Sequence, residues 1–293
     1  MKSLLLAGGM FCLTLFSQPG VAAADCDNPK PFRFAQIPQI SRDAMLKQYQ
    51  PLYQHLSAQL KRKIEIVNAP SYNAVIEGLI DGSIDLAELG PAAYAQAKKR
   101  NADIVVFASF SGQQGVQFDL SKGYHAVLIT RSDRQIDQLE TLKGQSLSLV
   151  DPASTSGALY PRFLIKQRTG MALEHFFSRI TFSGSHDRAL EAVRSRQVDA
   201  AFIASTKLDD AIAKGKINPK EIKVVWQSEV IPLDPFVYRR TLCAPLIAAL
   251  QQAFLLETAP LQAMFDQMQR PDGFITVNDE NYRKIRELYD TVP

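Results

Sequence analysis

Three hydroxyl side chains stand together at Ser154-Thr155-Ser156, between an apolar run, Leu147 to Val150, and a helical stretch that reaches Arg168. A strand-to-helix turn of this kind offers O–H donors beside the free N–H groups that open a helix, at the positive end of its dipole. That chemistry suits an anion and needs no fixed positive charge. A single serine capping the helix, with its neighbours as loop, accounts for the same residues. Pro161 falls inside the early helix and calls for a kink or a later start. In Ser183-Gly184-Ser185-His186-Asp187 the arrangement recurs, and His186 can donate to an anion, more strongly if protonated. Its alternative is a solvated or structural histidine. Tyr72 and Tyr124 are phenols at element starts, within reach of a cleft or half-buried as packing. Asp234 lies in Ile231-Pro232-Leu233-Asp234-Pro235, extended because proline disfavours helix in the residue before it. Its carboxylate can accept from a ligand hydroxyl, an amine or His186, or can merely shape a turn.

Short β-rich runs alternating with amphipathic helical stretches must position these residues. Phe32 to Gln36, Ile64 to Asn68, Ile84 to Leu89 and Ile104 to Ser109 read as strands, with helices at Leu46 to Leu60, Tyr72 to Ile80 and Ala92 to Lys99. Tyr124 to Thr130 opens a second set, with strands at Ser146 to Val150, Arg179 to Phe182 and Val198 to Ile203 and helices after Ser156 and His186. The alternation predicts an α/β fold with mostly parallel strands. Tyr72 to Ala87 aligns without gaps to His186 to Ala201, 114 residues on, matching Glu77 with Glu191 and Asp85 with Asp199. The chain therefore reads as two related lobes, with Tyr72 and His186 at equivalent helix starts facing a shared cleft.

The amino terminus carries Lys2, an apolar core from Leu4 to Phe16 and Ala22-Ala23-Ala24 before Asp25, the pattern of a cleaved signal peptide over residues 1–24. Removal of Cys12 with it leaves Cys26 and Cys243, either bridged, as an oxidising compartment allows, or two separate thiols. No ligand-spaced Cys or His accompanies them, so neither a metal nor another cofactor is expected. A net charge of +3 over 293 residues excludes a nucleic-acid footprint. Roughly 270 mature residues exceed one comfortable core, so two domains are expected.

DPASTSG, GSHD followed by VDAA, GYHAVLIT and IPLDPFVYR together resemble the phosphate/phosphite/phosphonate solute-binding proteins of ABC transporters, in order from about Phe32 to Tyr238. The resemblance implies a type II periplasmic-binding-protein-like fold: two α/β lobes, a ligand cleft between them and two hinge crossings. On this chain that gives 25–126 with 235–293 as lobe 1 and 127–234 as lobe 2, with hinges near Ala126 to Ile129 and Ile231 to Pro235. It implies Ser154, Thr155, Ser156 and His186 as oxyanion ligands, bordered by Tyr72, Tyr124 and Asp234. Leu89 is expected on the cleft side of its strand end. The family's aminoalkylphosphonate binders place a glutamate where this chain has Ser205-Thr206, which favours phosphite, phosphate or a small alkylphosphonate.

The expected function is thus capture of a small phosphorus oxyanion in the periplasm, without catalysis, by a monomer that serves an ABC permease. Presentation of the ligand to a sensor histidine kinase is the alternative partner. Ser154, His186 and Asp234 formally suit a hydrolytic triad, but no G-x-S-x-G elbow surrounds Ser154.

Overall fold

A computed structural model describes residues 26–292; the expected signal peptide lies outside the described residues. The chain first runs through β1 (Phe32–Gln36), α1 (Arg42–Leu60), β2 (Ile64–Val67), α2 (Tyr72–Asp81), β3 (Leu86–Glu88), α3 (Pro91–Arg100) and β4 (Ile104–Phe110). It then crosses into β5 (Ala126–Arg131), β6 (Ser146–Leu149), α4 (Tyr160–Thr169), α5 (Leu173–Phe176), β7 (Arg179–Phe182), α6 (His186–Arg194), β8 (Ala200–Ala204), α7 (Ser205–Ala213) and β9 (Ile222–Gln227). It returns through β10 (Pro235–Arg239), α8 (Ala244–Leu255), α9 (Gln262–Gln267), β11 (Phe274–Thr276) and α10 (Arg283–Thr291).

These strands build two sheets, ordered β11-β4-β10-β3-β1-β2 and β7-β6-β8-β5-β9. The expectation of mostly parallel strands needs correcting. β1 pairs in parallel with β2 and β3, and β6 with β7 and β8, as their helical crossovers require. The two strands that carry the chain between sheets, β5 and β10, are instead inserted antiparallel to both of their neighbours. Hydrophobic pattern reports burial on a strand, not its direction, so the insertion is invisible in sequence.

Alternation in β1 sends Phe32 and Phe34 to one face, where Leu52 and Leu56 of α1 and Phe236 cover them, and Ala35 to the other, against Val75, Ile76 and Leu79 of α2. The second sheet buries Leu128, Leu147, Leu149 and Phe202 against Leu164 and Ile165 of α4. Both units of the internal repeat use one anchoring device. Asp85, fully buried just before β3, accepts the Arg33 backbone N–H at 2.8 Å and pairs with the guanidinium groups of Arg33 and Arg239. Asp199, just before β8, accepts the Ser146 backbone N–H at 2.9 Å and pairs with Arg134. Each carboxylate thereby fixes the parallel strand beside it.

The crossings run through residues 111–125 and 228–234, and they touch. Tyr124 and Ile231 exchange both backbone hydrogen bonds, at 2.9 and 2.7 Å, in an isolated two-residue bridge. Gly123 makes this approach possible, since a Cβ there would stand 2.2 Å from the Ile231 carbonyl oxygen. Ala126 to Ile129, expected as a hinge, is instead fully paired with β8. Cys26 is disulfide-bonded to Cys243, which leaves neither thiol free and ties the start of the described chain to the base of α8.

Candidate ligand-binding site

A cavity of about 230 Å³ lies between the two sheets, and every sequence-predicted site residue reaches it. Ser154, Thr155 and Ser156 are all buried. Ser154 is both cap and pocket wall: its backbone is extended and its Oγ accepts the Gly157 N–H at 3.1 Å. The next five residues, Thr155–Leu159, make one wide π-turn, and α4 begins only at Tyr160, so Pro161 falls harmlessly in its first turn. Thr155 Oγ accepts the backbone N–H of Ala92, in the first turn of α3 across the cleft, at 2.9 Å. With that lone pair engaged, the hydroxyl hydrogen of Thr155 is available to the cavity. Asp151 holds the turn from behind, accepting the N–H of Ala153 at 2.9 Å and, from the facing lobe, that of Tyr72 at the start of α2, at 3.2 Å.

His186 opens α6, and its Nδ1 accepts the Ala204 N–H at 3.1 Å. The ring proton therefore resides on Nε2. Burial, with the Lys207 charge second, lowers the imidazole pKa to about 3. His186 is thus a neutral donor of fixed tautomer, and the protonated form considered from sequence does not fit here. Its own N–H donates to the Gln39 carbonyl of the facing lobe at 3.2 Å. Tyr72 opens α2 in the equivalent place, capped by Ser71, whose Oγ accepts the Ala74 N–H. Its buried hydroxyl, near Ser154, has no hydrogen-bond partner. Tyr124 is buried beside Thr155, and both phenols are held well above their ordinary pKa by burial and by the charge of Asp234. They act as O–H donors throughout the physiological range.

Asp234 accepts from the Gln39 side-chain amide at 2.6 Å, and burial raises its pKa to about 6. It does not meet His186, whose Nδ1 is occupied by Ala204. The three members of a hydrolytic triad are therefore present without the relay that would connect them.

Sequence reasoning missed several lining residues: Gln39, Tyr49, Glu88, Gln113, Lys207 and Arg270. Glu88 is the most informative. Its buried carboxylate accepts from Gln36 and from the Tyr49 hydroxyl, and burial with the nearby Asp234 charge raises its pKa to about 7. Leu89, expected on the cleft side, points instead into the hydrophobic core, while Glu88 and Gly90 on either side line the cavity. A carboxylate inside Leu86-Ala87-Glu88-Leu89 was the available signal. Thr206 lines the cavity where relatives were expected to carry a glutamate, and Lys207 beside it adds a positive charge. Among the described residues no cluster of three or more His, Cys, Asp or Glu is placed to hold a metal ion.

Two α/β lobes joined by paired crossings, enclosing a cavity walled by neutral hydroxyl and imidazole donors, define a solute-binding protein of the two-lobed periplasmic kind. The chain belongs to the periplasmic substrate-binding proteins of ABC phosphonate transporters, whose family model matches residues 34–282. It is 29% identical over 281 residues to the phosphate-import protein PhnD of Mycolicibacterium smegmatis, covering 89% of this chain and 86% of the relative. It is 31% identical over 237 residues to the phosphonates-binding periplasmic protein of Escherichia coli, covering 80% and 67% of the two chains. A binding-protein component of an ABC phosphonate transporter from Pseudomonas aeruginosa superposes with a TM-score of 0.79 at 26% identity, over 89% and 86% of the chains. The family is periplasmic, and among the described residues no helix is long and apolar enough to cross a membrane.

Proposed function

We propose that the cleft captures a small phosphorus oxyanion, phosphite, phosphate or an alkylphosphonate, and delivers it unaltered to an ABC permease. The observation that carries this reading is the set of neutral donors that line the cavity: Ser154, Thr155, Ser156, Tyr72, Tyr124 and the His186 Nε2–H. Charge-assisted hydrogen bonds from such donors suit a desolvated oxyanion. The unpartnered Tyr72 hydroxyl and the free hydrogen of Thr155 are positions at which ligand oxygens complete the network. The expected lobes are the moving units in this reading, with the first boundary moved ahead of Ala126, which pairs with Ala204 of the second sheet. Closure brings Ala92 to Thr155 and Tyr72 to Asp151, contacts that an open form cannot make. Absence of a connected triad supports capture without chemistry, and family membership supports a permease over a kinase as the recipient.

Calorimetric titration of the mature chain with phosphite, phosphate and methylphosphonate, with sulfate as control, tests the proposal. Saturable one-to-one binding of at least one phosphorus oxyanion, tighter than sulfate, is the expected result. No heat from any of the three at millimolar concentration would remove it.

A further inference from the structure

Gly90 lines the cavity at the start of α3, and nothing in the fold asks for a glycine there. Among the described residues, seven other glycines hold a left-handed φ, and a Cβ on Gly78, Gly112, Gly115 or Gly157 would stand 2.5 Å or less from a neighbouring atom. Gly90 shares neither reason. Its φ of −76° and ψ of 157° suit any residue that precedes a proline. As the N-cap of α3 it offers no side chain, but the Ala92 N–H that a capping side chain would take is engaged by Thr155 Oγ1 from the facing lobe. Alanine would serve equally well on both counts. What alanine would add is a methyl group 3.5 Å from Ile37 Cδ1, 3.5 Å from Thr155 Oγ1 and 3.9 Å from Asp234 Oδ1, all ordinary contact distances. Those three side chains line the cavity, so the methyl would displace no protein atom and would occupy space open to a ligand.

We propose that Gly90 is a specificity-determining residue, whose missing side chain leaves room for the fourth substituent on phosphorus: the methyl group of methylphosphonate or the hydroxyl of phosphate. Electrostatics sets which way that substituent points. Like charges repel, so the charged oxygens turn towards the neutral donors of the hydroxyl turn, Tyr72 and His186 and away from the Asp234 carboxylate. Asp234 Oδ2 already accepts from Gln39, and Oδ1 is the oxygen beside Gly90. The substituent that carries no charge therefore faces that corner. A hydroxyl on phosphorus can donate to Oδ1 there, and a methyl packs against Gly90 and Ile37. In phosphite the same position holds only a hydrogen, which needs no such room. The proposal rests on the oxyanion reading of the donor set and specifies which members of that class the cleft admits.

Calorimetry on the mature chain and on Gly90→Ala with phosphite, methylphosphonate and phosphate tests it. In the variant, affinity for phosphite relative to each of the two larger ligands is expected to rise at least about tenfold, through loss of the larger ligands. Each ratio is taken within one preparation, so a partly unfolded sample lowers the stoichiometry and leaves the ratios unaltered. A rise smaller than this for either larger ligand, a parallel loss of all three included, overturns the assignment of Gly90 alone, because the parent chain still binds. A parent chain that binds phosphite and neither larger ligand overturns it as well, and so does a variant to which phosphite is silent. A parent chain silent to all three at millimolar concentration removes the oxyanion reading and the role of Gly90 together.

Discussion

The two units of the internal repeat share a scaffold and differ at their working ends. In each, an aspartate just before a buried strand takes the backbone N–H of the neighbouring parallel strand: Asp85 from Arg33, Asp199 from Ser146. In each, a helix opens at the cavity, with Tyr72 in one and His186 in the other. The contrast lies in what the remaining strand ends present. The second sheet contributes the hydroxyl turn Ser154-Thr155-Ser156, whose donors suit negative charge, whereas the first contributes Glu88 and, with the returning crossing, Asp234. The scaffold positions are alike in the two halves, whereas the strand ends differ in the sign of the charge they suit.

The scaffold half of this contrast is open to the largest effect. Asp85 is fully buried and accepts four hydrogen bonds, from the Arg33 backbone N–H and from the guanidinium groups of Arg33 and Arg239, so Asp85→Ala strips the partners of all four and should cost about 3–5 kcal/mol of stability in urea unfolding. Asp199 retains partial exposure, and Asp199→Ala should cost about 1–2 kcal/mol. Equal losses would show that the two anchors are not graded by burial. The working ends are tested next. Thr155→Val keeps the shape of the hydroxyl turn but removes one ligand donor and the acceptor for Ala92, and should weaken oxyanion binding by about 1–3 kcal/mol in calorimetry. An unchanged affinity would mean that the turn of the second lobe is only a helix start.

The smallest effect concerns the acidic end. Burial in the cleft raises the pKa values of Asp234 and Glu88 to about 6 and about 7, so the proposed closure should take up protons that hydrated carboxylates give away. Binding should therefore weaken as pH rises from the ordinary carboxylate range through about 7. His186, already neutral, adds no slope there. Methylphosphonate titrations of the parent chain and Asp234→Asn between about pH 5.5 and 8 separate this from ligand ionisation, which is common to both. A shallower profile in the variant is expected; superimposable slopes would dissociate Asp234 from closure.

The order of elements as far as Ile203 was legible from apolar periodicity, and so were the helix starts that carry Tyr72 and His186, because turn residues and strand ends are local features; the elements from α7 onward were not read. The hydroxyl turn was legible for the same reason, although the wide turn ahead of Pro161 was not. Strand direction at β5 and β10 could not be read, since an apolar run looks the same from either end. Gln39, Gln113 and Arg270 escaped because each lies in irregular chain and gains its place only when distant segments meet, as when Arg270 donates to Ser111. Glu88 carried a visible sign, a carboxylate within an apolar strand, but its three residues were too short for alternation to show which face it takes. The cysteine pair needed a distance that sequence does not contain.

The bridge between Tyr124 and Ile231 is a mechanical pin. Two separate tethers can move independently of each other; a rung joining the tethers makes them move as one strip. Gly123, the residue that lets the rung form, thus joins the two crossings from outside the pocket.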